Sequence, residues 1–226
     1  MKKELVWDDI AEQWHKFRQQ KFKPVYDFIE EYKPRKGKIL EIGCGNCRNL
    51  IPFAKLGFEC YGIDFSKKML DQAKKFAVKN KVRIELKKAD MTKIPYKKNY
   101  FDYVLHIASL HNLKTEKERI RSLQEAYRVL KPNGVVLLTV WNKLQLRFLF
   151  SKKDVFIPWF IKNKKYQRFY HLFDYFELKG LIKETKFKIV SSNIFGENLI
   201  FILKKKRKSP SIWSRLSFKG LRKLMR

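Results

Sequence analysis

Apolar side chains at helical spacing open the chain. Trp7, Ile10, Ala11, Trp14 and Phe17 predict one helix, and Pro24 opens a second that places Val25, Phe28 and Ile29 on one face. From Lys38 onward the rhythm changes to short apolar runs separated by amphipathic stretches. Lys38–Ile42, Glu59–Asp64, a weaker Arg83–Leu86, a central Phe101–Ile107 and Val135–Trp141 read as strands. Asn49–Leu56 reads as a helix between the first two. Ser66 caps another, whose Met69, Leu70, Ala73, Phe76 and Ala77 point inward. Thr115 and Glu118 form a capping box ahead of Ile120, Leu123, Tyr127 and Leu130, and Lys131-Pro-Asn-Gly134 stops that helix. Strand and helix alternating in this way predict an α/β, doubly wound, Rossmann-like sheet, mostly parallel, with helices on both faces. After Trp141 comes a basic, aromatic segment with little periodicity, over 142–170. A helix at Tyr175–Lys183 and two strands, Phe187–Phe195 and Leu199–Leu203, follow, close enough for a hairpin at the sheet edge.

The first strand empties into Glu41-Ile-Gly-Cys-Gly-Asn-Cys47. A strand, a glycine-rich turn and a helix bring backbone close to a nucleotide-like ligand, because Gly43 and Gly45 lack the Cβ that would block it. Asp64 ends the next strand about 20 residues on, the usual place for a carboxylate that accepts from ribose hydroxyls. A dinucleotide fingerprint wants a third glycine, and Arg48 stands there instead. Glu41 fits the acidic-x-Gly-x-Gly loop of methyltransferases that use S-adenosylmethionine. On that reading Glu41, Gly43, Cys44 and Gly45 form the donor loop, and Asp64 with Phe65 takes the ribose. Asp90 accepts from the adenine amino group, Met91 packs on the ring, and Ile107 closes the central strand beneath the donor. Tyr127-Arg-Val-Leu-Lys-Pro-Asn-Gly134 before an apolar strand is a further feature of such enzymes.

Composition adds a partner. Lys and Arg number 52 against 22 Asp and Glu, a formal charge of +30. Ion-pair-rich surfaces raise both signs together, so the excess points to a polyanion: RNA, DNA or an acidic membrane. A lysine-biased genome is the plainer alternative. Cys44, Cys47 and Cys60 are too few for a disulfide framework and suit a reducing cytoplasm. Cys44-x-x-Cys47 has no second Cys/His pair at ligand spacing, so no metal site is expected. The first residues do not form a signal peptide, and no apolar run reaches the ~20 residues of a membrane span. The expectation is a soluble, cytoplasmic protein.

Methyl transfer is an in-line displacement that needs alignment and exclusion of water. The central strand ends His106-Ile-Ala-Ser109, which lacks the run typical of exocyclic-amine methylation, and neither Cys44 nor Cys47 is placed to attack a pyrimidine ring. Oxygen, a carboxylate or a ring nitrogen remain. Arg168 offers a forked pair for a carboxylate or phosphate; His111, Tyr170 and His171 offer hydrogen bonds. His106 reads as a core residue and His15 as lying on a helix flank. The segment after Trp141 interleaves Lys and Arg with Phe148, Phe150, Phe156, Trp159, Phe160, Tyr166 and Phe169, a combination suited to looped RNA. The basic amphipathic end, with Trp213, Leu216 and Leu221, suits RNA or an acidic membrane.

These motifs resemble class I methyltransferases, whose sheet has seven strands. More narrowly, the chain is similar to the tRNA methyltransferase family that esterifies 5-carboxymethyluridine at the anticodon wobble position. The resemblance rests on Lys23-Pro24, Gly43-Cys-Gly-Asn46, Ile107-Ala108, Leu110-His111, Val140-Trp141 with Gln145, Asp154-Val155 with Pro158-Trp159, and Arg168-x-Tyr-His-x-Phe173, across roughly 5–203. It implies tRNA as substrate and a small zinc-ribbon activator as partner. Family members often have a second His where Asn112 stands, Gly where Cys47 stands and Arg where Lys21 stands. The expected organisation is one methyltransferase domain over 1–203, containing a substrate-binding insertion over 142–172, and a tail over 204–226. Two rival readings stay open: a lipid- or quinone-methylating enzyme at a membrane surface, and a non-catalytic RNA-binding subunit.

Overall fold

The computed structural model describes residues 3–206, with side chains from residue 6 onward; most of the expected tail lies outside these residues. Seven strands form one sheet: β1 (Lys38–Ile42), β2 (Glu59–Asp64), β3 (Ile84–Lys88), β4 (Phe101–Ile107), β5 (Leu130–Trp141), β8 (Phe187–Asn193) and β9 (Asn198–Lys205), in the order β3-β2-β1-β4-β5-β9-β8. Pairing is parallel from β3 through β5, and β9 runs antiparallel to both its neighbours. The mostly parallel, doubly wound sheet that the alternation predicts is present, with β8 and β9 as its terminal hairpin.

Burial on both faces explains the near-continuous apolar strands. Successive residues of β1 feed opposite layers. Leu40 and Ile42 join Leu123 and Ala126 of α5 (Glu116–Val129) and Leu178 of α6 (Tyr175–Lys183). Ile39 joins Val25 and Phe28 of α2 (Lys23–Tyr32), Phe53 of α3 (Ile51–Lys55) and Leu70 and Ala73 of α4 (Lys67–Lys79). The Ser66 hydroxyl accepts from Met69 N at 3.1 Å, and the Thr115–Glu118 capping box is complete. β9 continues to Lys205, two residues into the expected tail. There the ammonium is held by Asn99 Oδ1 and the carbonyls of Tyr127 and Leu130.

The segment after Trp141 departs from expectation. Past a loop with a 3₁₀ turn at Leu146–Phe148, it forms a regular antiparallel hairpin of β6 (Asp154–Ile161) and β7 (Lys164–His171). Burial alternates along β6: Val155, Ile157, Trp159 and Ile161 face in, and Phe156, Pro158 and Phe160 face out. Because both faces carry apolar residues, the period of two is invisible in hydropathy. Helix α1 (Lys3–Phe17) lies between this hairpin and α4. A third apolar cluster joins its Val6, Ile10 and Ala11 to Met69, Tyr166 and Trp159.

Candidate active site

Strand order reverses between β1 and β4, and open parallel sheets hold ligands beyond the carboxyl ends of strands at such a point. A cavity lies there. Glu41, Gly43, Cys44, Gly45, Asp64, Phe65, Met91 and Ile107, eight of the nine residues expected to hold a donor, line it. Gly43 (φ +68°) and Gly45 (φ +51°) adopt left-handed backbone, and a Cβ on Gly43 would lie 2.6 Å from that of Ser109. Cys47 is also left-handed, at φ +63°. That accounts for the glycine common at this position in the similar family, since a side chain there is strained.

Asp64 braces the loop. One carboxylate oxygen accepts from Gly45 N and the other from Ser66 N, both at 2.9 Å. Burial pushes its pKa up to about 6 against the pull of those backbone donors. Glu41 is more deeply sequestered. Asn49 Nδ2 donates to its Oε1 at 2.6 Å, Oε2 has no partner, and burial raises the carboxyl to about 8. An unpartnered carboxylate oxygen beside the cavity fits a cationic group on the ligand. The glycine cradle, the ribose-ready Asp64 and this orphaned oxygen together fit S-adenosylmethionine, a nucleoside carrying an ammonium.

Asp90 sits apart from the other eight. It does not line the cavity: its Oδ1 accepts from Thr92 N and Thr92 Oγ1, both at 2.7 Å, so the carboxylate caps its own turn. Met91 alone of that pair reaches the donor space.

Helix α1 roofs the cavity with Trp7 and Trp14. Asp8 accepts from Ser66 Oγ and Lys68 N, Asn46 Nδ2 donates to Arg18 O at 2.8 Å, and the same nitrogen lies 3.0 Å from His15 Nδ1. Gln13 accepts from Trp159 Nε1 of β6, so the helix also grips the hairpin. None of this was legible beforehand, because an amphipathic pattern reveals that a helix packs and not what it covers.

A second cavity, of about 210 Å³, adjoins the first and shares Trp7 and Asn112 with it; Arg168, Gln167, Phe156 and Lys114 line its far side. Arg168 is 7 % exposed and has no acidic partner among the described residues. Its Nη1 donates to Tyr170 Oη at 2.9 Å, its Nε is unpaired, and its guanidinium stacks 4.7 Å from the Trp159 ring centre. Burial lowers its pKa, yet a guanidinium stays charged at ordinary pH. Such a buried cation calls for an anion.

Three other expected acceptor residues sit elsewhere. Tyr170 lies behind Arg168, stacked on Trp141 with ring centres 4.3 Å apart; it positions the guanidinium and lines neither cavity. His111 is buried against the edge of the Trp141–Tyr170 stack, and its Nδ1 accepts from Trp141 N at 3.2 Å. Burial drops its pKa to about 3, which leaves a neutral core imidazole. Its neighbour Asn112, which stands where the similar family often has a second His, faces both cavities with an unpartnered Oδ1. His171 is clamped by Asp154 Oδ1 at 2.5 Å and Glu177 Oε1 at 2.7 Å, tying the hairpin to α6. With both ring nitrogens engaged it is a structural latch. His106, between Ser109 and Ser122, is the core residue expected.

The fold and cavity define an S-adenosylmethionine-dependent methyltransferase of class I, and comparison with known proteins agrees. A Methyltransferase domain family model matches residues 40–138. Among solved structures, an S-adenosylmethionine-dependent methyltransferase from Methanosarcina mazei superposes with a TM-score of 0.70 at 22% identity, over 81% of this chain and 99% of that one. The ubiquinone biosynthesis O-methyltransferase of Pelagibacter ubique is 31% identical over 66% of this chain and 69% of its own. A Schizosaccharomyces pombe tRNA (carboxymethyluridine(34)-5-O)-methyltransferase is 27% identical over 88% of this chain and 94% of its own. The chain spans about a third of several longer curated relatives, such as those matched over 31–32% of their length. The chain belongs to the class I S-adenosylmethionine-dependent methyltransferases.

Proposed function

We propose that the enzyme esterifies the carboxylate of 5-carboxymethyluridine in the anticodon loop of tRNA. The observation that carries this is Arg168: a buried guanidinium lacking an acidic partner among the described residues, in a cavity that meets the donor cavity at Asn112 and Trp7. The names of relatives, including the S. pombe enzyme, support the same substrate.

A carboxylate is ionised at pH 7 and needs no general base, only orientation and removal of its water. Arg168, backed by Tyr170 and Trp159, would hold one oxygen of the acceptor and point the other towards the donor cavity. Trp7 and Trp14 would exclude water. S-adenosylmethionine supplies an electrophilic methyl group on a sulfonium sulfur. Glu41, Gly43, Gly45 and Asp64 would hold it, with Cys44, Phe65, Met91 and Ile107 shaping the cavity. Among the described residues the lining of the Arg168 cavity includes no carboxylate or imidazole, which favours this reading over methylation of a hydroxyl, which would need a base. Among the described residues no helix is long and apolar enough to cross a membrane.

Nucleoside mass spectrometry of tRNA from a deletion strain tests the proposal. The carboxymethyl ester should disappear and free carboxymethyluridine accumulate. Unchanged nucleosides would overturn it. Assay of the purified enzyme, with and without a small zinc-ribbon protein, addresses the activator that the resemblance implies.

A further inference from the structure

The hairpin β6–β7 has two unlike faces. Its inner face carries Tyr170, Arg168, Trp159 and Tyr166 against the body of the protein. Its outer face carries Phe156 opposite Phe169, Pro158 opposite Gln167, and Phe160 opposite Lys165. Phe156 and Phe160 are each 60 % exposed, an uncommon exposure for two phenylalanines in one eight-residue strand. They are not scattered. The Phe156 and Phe169 rings meet edge to face at 5.7 Å, and Phe156, Gln167 and Phe169 form the rim of the cavity that holds Arg168.

Charge on the hairpin itself is almost all of one sign. Lys162, Lys164 and Lys165 crowd its turn end, and Lys114 stands at the cavity rim. The one acid on β6 or β7, Asp154, is turned to His171. Lysine is depleted at the cores of protein–protein interfaces. A surface of rings separated by cations and an amide has the composition that binds single-stranded nucleic acid, because rings stack on bases of any sequence while ammonium groups track the phosphates.

We propose that the outer face of this hairpin is a stacking platform for unpaired RNA bases, with Phe160 and Phe156 receiving nucleotides that flank the one entering the Arg168 cavity. This rests on the reading of the enzyme as acting on an RNA loop, but not on which group is methylated. It explains why the outer positions are aromatic although they contribute nothing to the core. A base stacked on Phe156 lies at the entrance through which the acceptor nucleotide would pass, so the platform would hold the loop splayed open.

The test is fluorescence anisotropy with a labelled anticodon stem-loop and a blunt RNA duplex of equal length, titrated at several salt concentrations. Phe160→Ala should weaken stem-loop binding about 5- to 100-fold. It should leave duplex binding and the salt slope unchanged, since no phosphate contact is lost. Phe156→Ala should do the same. Lys165→Ala should instead reduce the slope by about 0.7 for one single-strand phosphate. Donor affinity by calorimetry, unchanged in Phe160→Ala, shows that the variant is folded. Equal losses on loop and duplex, or none, would overturn the proposal. So would binding to phosphatidylcholine–phosphatidylglycerol vesicles that disappears in Phe160→Ala. Since binding is read without methyl transfer, unchanged nucleosides in the deletion strain would sink the substrate assignment and leave this result standing.

Discussion

Replacing Glu41 by glutamine tests the donor site through protons. Burial holds the Glu41 carboxyl at about 8, and its Oε2 is unpartnered beside the cavity. At pH 7 such a group is about 0.9 protonated in the free enzyme. An arriving ammonium favours the carboxylate, so donor binding should expel that proton. The ammonium of the free donor, with an amine pKa of about 8, takes up between about 0.1 and 0.2 of a proton on binding. Asp64, raised to about 6, releases about 0.1 more if it ionises fully against the ligand. The net is a release of about 0.8 proton per donor bound. Calorimetry at pH 7 in two buffers of different ionisation enthalpy reads this number directly. Glu41→Gln should bring it near zero and weaken affinity. A wild-type release near zero, or the same release in both proteins, would refute the placement of the ammonium at Glu41.

Three further outcomes follow from the geometry. Gly43→Ala puts a Cβ 2.6 Å from that of Ser109, whose hydroxyl is held by Ile42 O and His106, at a φ of +68°. The strained backbone and the overpacking together should cost about 2 to 5 kcal/mol, read as a lower urea midpoint. Arg168→Ala should leave donor affinity within about twofold and lower turnover at least about 100-fold, because the guanidinium touches only the acceptor cavity; an equal loss of donor binding would count against separate cavities. His106 and His111 titrate at about 3 when folded, below their ordinary 6.5. Each therefore contributes stability that is complete above 6.5 and lost as pH falls towards 3, about 1.4 kcal/mol per pH unit. His111→Gln should remove one such slope relative to wild type in urea titrations across that window.

The sheet and donor loop were legible because their signals are local. A strand, two glycines in left-handed backbone and a carboxylate closing the next strand lie within 24 residues, Glu41 to Asp64. The acceptor side was legible only in part. His111 attracts attention as an imidazole, but the 3₁₀ turn Leu110–Asn112 directs it into the core and Asn112 outward; hydropathy does not encode that rotation. His171 finds its carboxylates 17 residues before, across the hairpin, and 6 after, on α6, a pairing that only the folded chain creates. Asp90 has the expected spacing, yet a threonine two residues on competes for it. The hairpin itself was hidden by apolar residues on both its faces.

Helix α1 ties the two cavities together. Its tryptophans leave about 80 Å³ of free space over the glycine loop, well under the roughly 300 Å³ or more of ordinary ligand sites. Any movement of the tryptophans on nucleoside entry would pull on the same segment that Gln13 fastens to Trp159, the ring against which Arg168 rests. Thermodynamic reciprocity then applies: whatever factor one ligand imposes on the other's affinity is returned in equal measure. Coupling of this kind would be read as a difference between the affinities of the empty and the loaded enzyme for the second ligand.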